Sequence, residues 1–141
     1  MAIPLPTFAP EHIHPILVNF TAALVPASFG SDVLGKITRR QSLHAAGFWM
    51  LIYAAAITPF TALAGFVWKR SVASALPPEQ ILVHQWLGIS LAILFLVLGV
   101  WRWVLHSRAT NPGFAYLGLC LVLVLALMYQ GALGGQMAFG S

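Results

Sequence analysis

Four long apolar runs, each closed by a short polar or basic segment, organise this chain. The first begins at Ile13 and covers about residues 13–33, interrupted by Asn19, Thr21, Pro26 and Ser28. A basic connection holding Lys36, Arg39 and Arg40 follows. The second run covers about 43–68 and stops at Lys69-Arg70. The polar hinge SVASALPPEQ leads to the third, at about 80–105, and His106-Ser-Arg-Ala-Thr-Asn-Pro marks the next turn. The last run covers about 114–138. At about 1.5 Å per residue, each run is long enough to cross a hydrocarbon core of about 30 Å. The pattern predicts an all-α membrane protein: one four-span domain over residues 1–141, folded as a four-helix antiparallel transmembrane bundle, because short connections favour up-and-down neighbours.

Composition agrees. Hydrophobic residues make up 60% of the chain and charged residues 7%, against about 25% charged in soluble domains. A soluble fold this short could not hide so much apolar surface. The net charge of +4 rests on seven Lys/Arg and three acids. These sit near the ends of the runs, which suits lipid headgroups and excludes a nucleic-acid face. The connections after the first and third runs hold Lys36, Arg39, Arg40, Arg102 and Arg108, and the opposite side holds Lys69 and Arg70. The positive-inside rule therefore predicts both termini outside a bacterial inner (cytoplasmic) membrane. Trp68, Trp86, Trp101 and Trp103 fall near run ends, where an aromatic belt belongs. The opening MAIPLPTFAPEH has no basic residue, so it reads as an extended lead-in and not as a secretory signal. Cys120 is the single cysteine, which leaves no disulfide framework.

Small residues predict where helices approach closely. Gly131 and Gly135 form a small-xxx-small spacing, and Ala55, Ala62 and Gly65 line the second run. Pro26 and Pro59 predict mid-span kinks. Asn19, Gln130 and Gln136 are candidates to bridge helices, and Asp32 is expected to pair with Arg39 or Arg40, because an unpaired carboxylate at membrane depth is costly. No nucleophile with a base, carboxylate pair or phosphate loop appears, so a hydrolase or transferase has no residues to use. The absence of a charged path through the runs argues against a transporter.

The five histidines carry the chemistry. His84 and His106 lie about 33 Å apart along one helix and cannot share a site. The histidines therefore sort by side, with His14 (and His12) opposite His84 outside, and His44 opposite His106 inside. A six-coordinate b-type haem takes two neutral imidazoles from facing helices, and opposed pairs on both sides are the pattern of a two-haem electron carrier. Gly88, at i+4 from His84, and Gly47, at i+3 from His44, would leave room for the ring. Arg102 at i−4 from His106, with Arg39 or Arg40 near His44, could receive propionates inside, and Lys69 or Arg70 outside. A chlorin pigment, held by a single histidine, is the alternative cofactor. The plainer reading is that histidines near span ends are satisfied by headgroups and water. Few carboxylates and no thiolate cluster disfavour structural zinc.

The segment His14-Pro15-Ile16-Leu17-Val18-Asn19-Phe20 resembles the opening motif of a bacterial family of four-span inner-membrane proteins catalogued as domain of unknown function 2231. In that family the motif reads His-Pro-x-x-Val-His-Phe-Pro. Asp32 matches its acidic residue late in the first span, Ala62-Leu-Ala-Gly65 its small-residue stretch, His84 the histidine opening the third span, and Gly134-Gly135 the closing double glycine. Asn19 and Thr21 depart from the motif, standing where the family has a second histidine and a proline. The resemblance implies a four-span fold and an association with electron-transfer components, and it keeps His14 and His84 as the better pair. His44 and His106 rest on the residue argument alone. Two functions follow as expectations. One is a membrane electron-transfer subunit that binds haem b through His14, His84, His44 and His106 and works with other membrane subunits. The other is a non-catalytic accessory or pigment-binding subunit of a larger respiratory or photosynthetic complex, and neither makes the chain an enzyme by itself.

Overall fold

The computed structural model describes residues 12–139, so the proline-rich lead-in lies outside the described residues. Within them the chain forms α1 (Ile13–Thr38), α2 (Gln41–Val72), α3 (Pro78–Ser107) and α4 (Phe114–Phe139). Each helix is long and apolar enough to cross a membrane. The first three run past the apolar stretches into polar residues, because ending a helix at the hydrocarbon edge would strand its terminal carbonyls in lipid.

Local chemistry fixes the ends. Pro78 opens α3 at a position where its missing N–H costs nothing, and Glu79 follows in the first turn. Lys36 closes α1, Lys69 and Arg70 close α2, and His106 closes α3, each positive or protonatable at the negative end of a helix. Residues 39–40 alone connect α1 to α2. Arg39 takes a left-handed conformation at φ 57°, and the extended Arg40 turns the chain back. After α3, Ala109 is also left-handed, at φ 50°. Its N–H donates to the His106 carbonyl at 3.0 Å and that of Thr110 to Leu105 at 2.9 Å. This is a Schellman motif built without glycine.

Each helix packs against its two neighbours, α1 on α2, α2 on α3, α3 on α4 and α4 on α1, while the diagonal pairs make no backbone contact. Partners run in opposite senses. His14 faces Gly65, Ser28 faces Gly47 and Asp32 faces His44 across α1 and α2. Trp101 meets Tyr116, and His84 meets Gln130, across α3 and α4. The result is an antiparallel four-helix bundle. Val25, Leu51, Phe95, Leu98, Tyr116 and Cys120 fill its middle. Ile37, Tyr53, Phe60, Leu63, Val97, Val122 and Met128 point outward and are exposed, as befits helices whose outer solvent is hydrocarbon.

Of the small residues expected at close contacts, Ala55 and Gly65 take part, and Gly47 and Gly99 join them. A Cβ on Gly47 would lie 2.9 Å from the Asp32 carboxylate carbon and 3.1 Å from the Ser28 carbonyl, and one on Gly99 would lie 2.9 Å from the Ala55 methyl. Gly131 and Gly135 have nothing within 4 Å. Their spacing does not form a helix contact; both line a cavity instead. Pro26 and Pro59 stand inside α1 and α2 as expected. Gly47→Ala should therefore destabilise the bundle by about 1–3 kcal/mol through overpacking. Gly118→Ala, open to lipid with nothing within 4 Å, should leave it unchanged or more stable. Unfolding in mild detergent measures both.

Candidate functional site

Polar chemistry gathers at the two ends of the bundle, and at each end it links α1 to α3 across the diagonal. Near the connections after α1 and α3, Asp32 is fully buried. Arg102 Nη2 donates to Asp32 Oδ1 at 3.0 Å and to the His44 carbonyl at 2.7 Å, and His44 Nδ1–H donates to the same carboxylate oxygen at 3.0 Å. The bare Cα of Gly35 admits the His44 ring, because a Cβ there would sit 3.0 Å from it, and Ser28 Oγ donates to the Gly47 carbonyl at 2.7 Å.

This arrangement corrects several expectations. Asp32 pairs with Arg102 and His44, not with Arg39 or Arg40. Arg102 is almost wholly buried and committed to that carboxylate, so it does not face outward to receive an anion. His44 and His106 are not brought together as a ligand pair. The ring of His106 stacks on Phe48 with centroids 3.9 Å apart and 14° between planes, while His44 is held by Asp32 under Gly35. Phe48 lies one turn from His44 on the same face of α2, so it takes the place next to His106 that a ligand pair would need. Arg39 sits exposed in the two-residue turn.

At the opposite end the structure brings His14 and His84 together. Their ring centroids are 6.3 Å apart with planes at 85°. Trp68, which the belt pattern places at the interface, turns inward beside both, at 5.7 Å from His14 and 6.2 Å from His84. His14 Nδ1–H donates to the Thr61 carbonyl at 2.9 Å. That bond fixes the tautomer and leaves the Nε2 lone pair to act as a ligand or acceptor. Gln130, on α4, donates to the His84 carbonyl at 2.9 Å and lies 3.3 Å from His84 Nε2. His84 Nδ1 and Gln130 Oε1 are buried without a hydrogen-bond partner.

A cavity of about 840 Å³ opens beside these side chains. His14, His84 and Gln130 line it at the polar end, Thr58 and Phe95 lie deeper, and Lys69 stands among its lining residues. Lys69 Nζ donates to Gln85 Oε1 at 2.7 Å. Glycine makes room for these side chains. Cβ atoms on Gly65 and Gly134 would come within 3.2 Å of His14 and 3.1 Å of His84, and one on Gly88 within 3.0 Å of Gln130. His12 and Asn19 also line the cavity, whereas Gln136 is exposed and does not bridge helices through a buried contact.

The described residues contain no group of three or more His, Cys, Asp or Glu placed to hold a bare metal ion. Two imidazoles across a cavity suit a metal that brings its own equatorial ligands. The family of predicted membrane proteins designated DUF2231 matches residues 10–141. The chain belongs to that family. Neither a curated protein nor a solved structure matches it. In this DUF2231 chain, His14 near the start of α1, Asp32, the glycines closing α2 and α4, and His84 all turn inward onto the two polar clusters. Gln130 bridges α4 to α3 as an amide at membrane depth predicts, whereas Thr61 and Trp68 join the histidine cluster with no sequence signal that places them there.

The Asp32–Arg102 pair can be tested by itself. Arg102→Met leaves the buried Asp32 carboxylate with His44 as its remaining side-chain partner and should cost about 3–5 kcal/mol. Adding Asp32→Asn removes the stranded charge and should recover much of that loss in the same unfolding assay.

Proposed function

We propose that the chain is a membrane electron-transfer subunit that binds a single b-type haem between His14 and His84. The observation that carries this reading is the ring-to-ring separation of 6.3 Å across a glycine-walled cavity. A ring separation of about 6 Å is wide enough that one metal centre could accept a nitrogen from each imidazole. The hydrogen bond from His14 Nδ1–H to a backbone carbonyl is the kind of outer contact that orients a ligating histidine and raises its basicity.

The residues present fit such a group. Gly65 and Gly134 seat the His14 and His84 rings, Gly131 and Gly135 leave the cavity wall open with nothing within 4 Å of where a Cβ would be, and the unpartnered Nδ1 of His84 and Oε1 of Gln130 mark a polar wall whose hydrogen bonding is incomplete. When bound, the haem supplies an iron that alternates between ferric and ferrous states. The chain's own residues hold and tune it. His14 and His84 would ligate, Thr61 would fix the first imidazole, Trp68 would pack against both rings, and Lys69 would meet a propionate at the polar end. His44, His106, Arg102 and Arg39 have no part in this site.

The helices are joined only by residues 39–40, 73–77 and 108–113, which offer no folded surface to a soluble partner. That favours work as a small subunit beside other membrane proteins, respiratory or photosynthetic, and the same cavity would take a chlorin pigment as the alternative tetrapyrrole. We place the chain in a bacterial cytoplasmic membrane with both termini outside, from the basic residues of the 39–40 and 108–113 connections.

The reduced-minus-oxidised visible spectrum of protein expressed with haem supplied tests the proposal. A sharp α-band at one haem per chain is expected. His14→Ala and His84→Ala should each abolish the low-spin spectrum, and His44→Ala and His106→Ala should keep it. A featureless spectrum from folded protein, or a band indifferent to His14 and His84, would sink the reading.

A further inference from the structure

Between α1 and α4, away from the histidine cavity, Phe29, Val33 and Ile37 face Leu117, Gly118 and Leu121 across an apolar groove of about 420 Å³. Gly118 leaves it open, since nothing lies within 4 Å of where its Cβ would be. One end of the groove is closed by Lys36, whose ammonium sits 4.5 Å from the centre of the Phe114 ring. That contact pins the amine at the end of the apolar trough instead of leaving it to sweep through water.

The charge around this end is one-sided. Lys36, Arg39, Arg40 and Arg108 are all exposed, while Asp32, the acid at this end among the described residues, is buried and joined to Arg102. An apolar trough the size of one fatty-acyl chain, ending at a fixed cation amid uncompensated positive charge, complements one kind of molecule. We propose that the α1–α4 groove is a binding site for an anionic phospholipid. One acyl chain lies along Phe29, Val33, Gly118 and Leu121, and the phosphate rests at Lys36. The neighbouring arginines strengthen the local field, and Lys36 supplies the fixed contact. This site is independent of any group bound between His14 and His84.

Native mass spectrometry of the detergent-solubilised full chain, titrated with phosphatidylglycerol or with phosphatidylcholine of the same acyl chains, tests it. The expected result is one retained phosphatidylglycerol per chain, preferred over phosphatidylcholine by about fivefold or more, the factor that one basic side chain confers near an anionic surface. Lys36→Gln should erase most of that preference. Gly118→Leu, which fills the trough without touching the core, should reduce retention of both lipids while leaving thermal unfolding unchanged. Equal retention of the two lipids would overturn the proposal. So would a preference that survives Lys36→Gln, which would assign it to the diffuse basic field, or retention that survives Gly118→Leu.

Discussion

The arrangement of the bundle depends on the buried contact between Asp32 and Arg102. In this ring of four helices only neighbouring backbones approach one another, so nothing in the backbone sets the distance across the diagonal. Hydrocarbon outside and hydrocarbon-like side chains inside offer little preference for one helix rotation over another. A carboxylate and a guanidinium in that environment have one tolerable arrangement, which is each other. Arg102 also donates to the His44 carbonyl, so the pair ties three helices, and His44 completes it from α2. The absence of Cβ atoms at Gly35 and Gly47 follows from the same requirement, because both glycines give way to the cluster: Gly35 to His44, Gly47 to Asp32.

The other end shows what the bundle does when no ion pair draws it closed. His14 and His84 also reach across the diagonal, but their rings stand 6.3 Å apart and do not hold α1 and α3 together as an ion pair does. The space between them is kept by glycines and by Trp68 against both rings. One end is thus a clamp and the other a cradle, and the packed layer of Val25, Leu51, Phe95 and Leu98 separates them.

Much of the fold was legible in the sequence, and the reasons are physical. Span number follows from apolar length. Helix ends follow from Pro78, from the basic last turns and from the polar connections. The sorting of His14 with His84 followed from helix rise alone. Partner choice was harder to read. Each helix is apolar nearly all round, so the pattern gives no face to point inward, and each residue turns the next side chain by about 100°. Arg102 looked interfacial by position yet rotates into the core. Gly131 and Gly135 looked like a packing seam yet line a cavity, and Trp68 looked like a belt residue yet faces the histidines. Thr61 takes part through its backbone carbonyl, which a side-chain pattern does not reveal.

The dry layer between clamp and cradle makes the molecule one-sided. Val25, Leu51, Phe95 and Leu98 are apolar and almost fully buried, so hydrocarbon side chains stand between the two polar clusters at that level of the described core. A proton taken up in the cradle would have to come from the face on which the cradle opens and return to it. A redox group held between His14 and His84, as proposed, would then exchange charge with a single leaflet's surface.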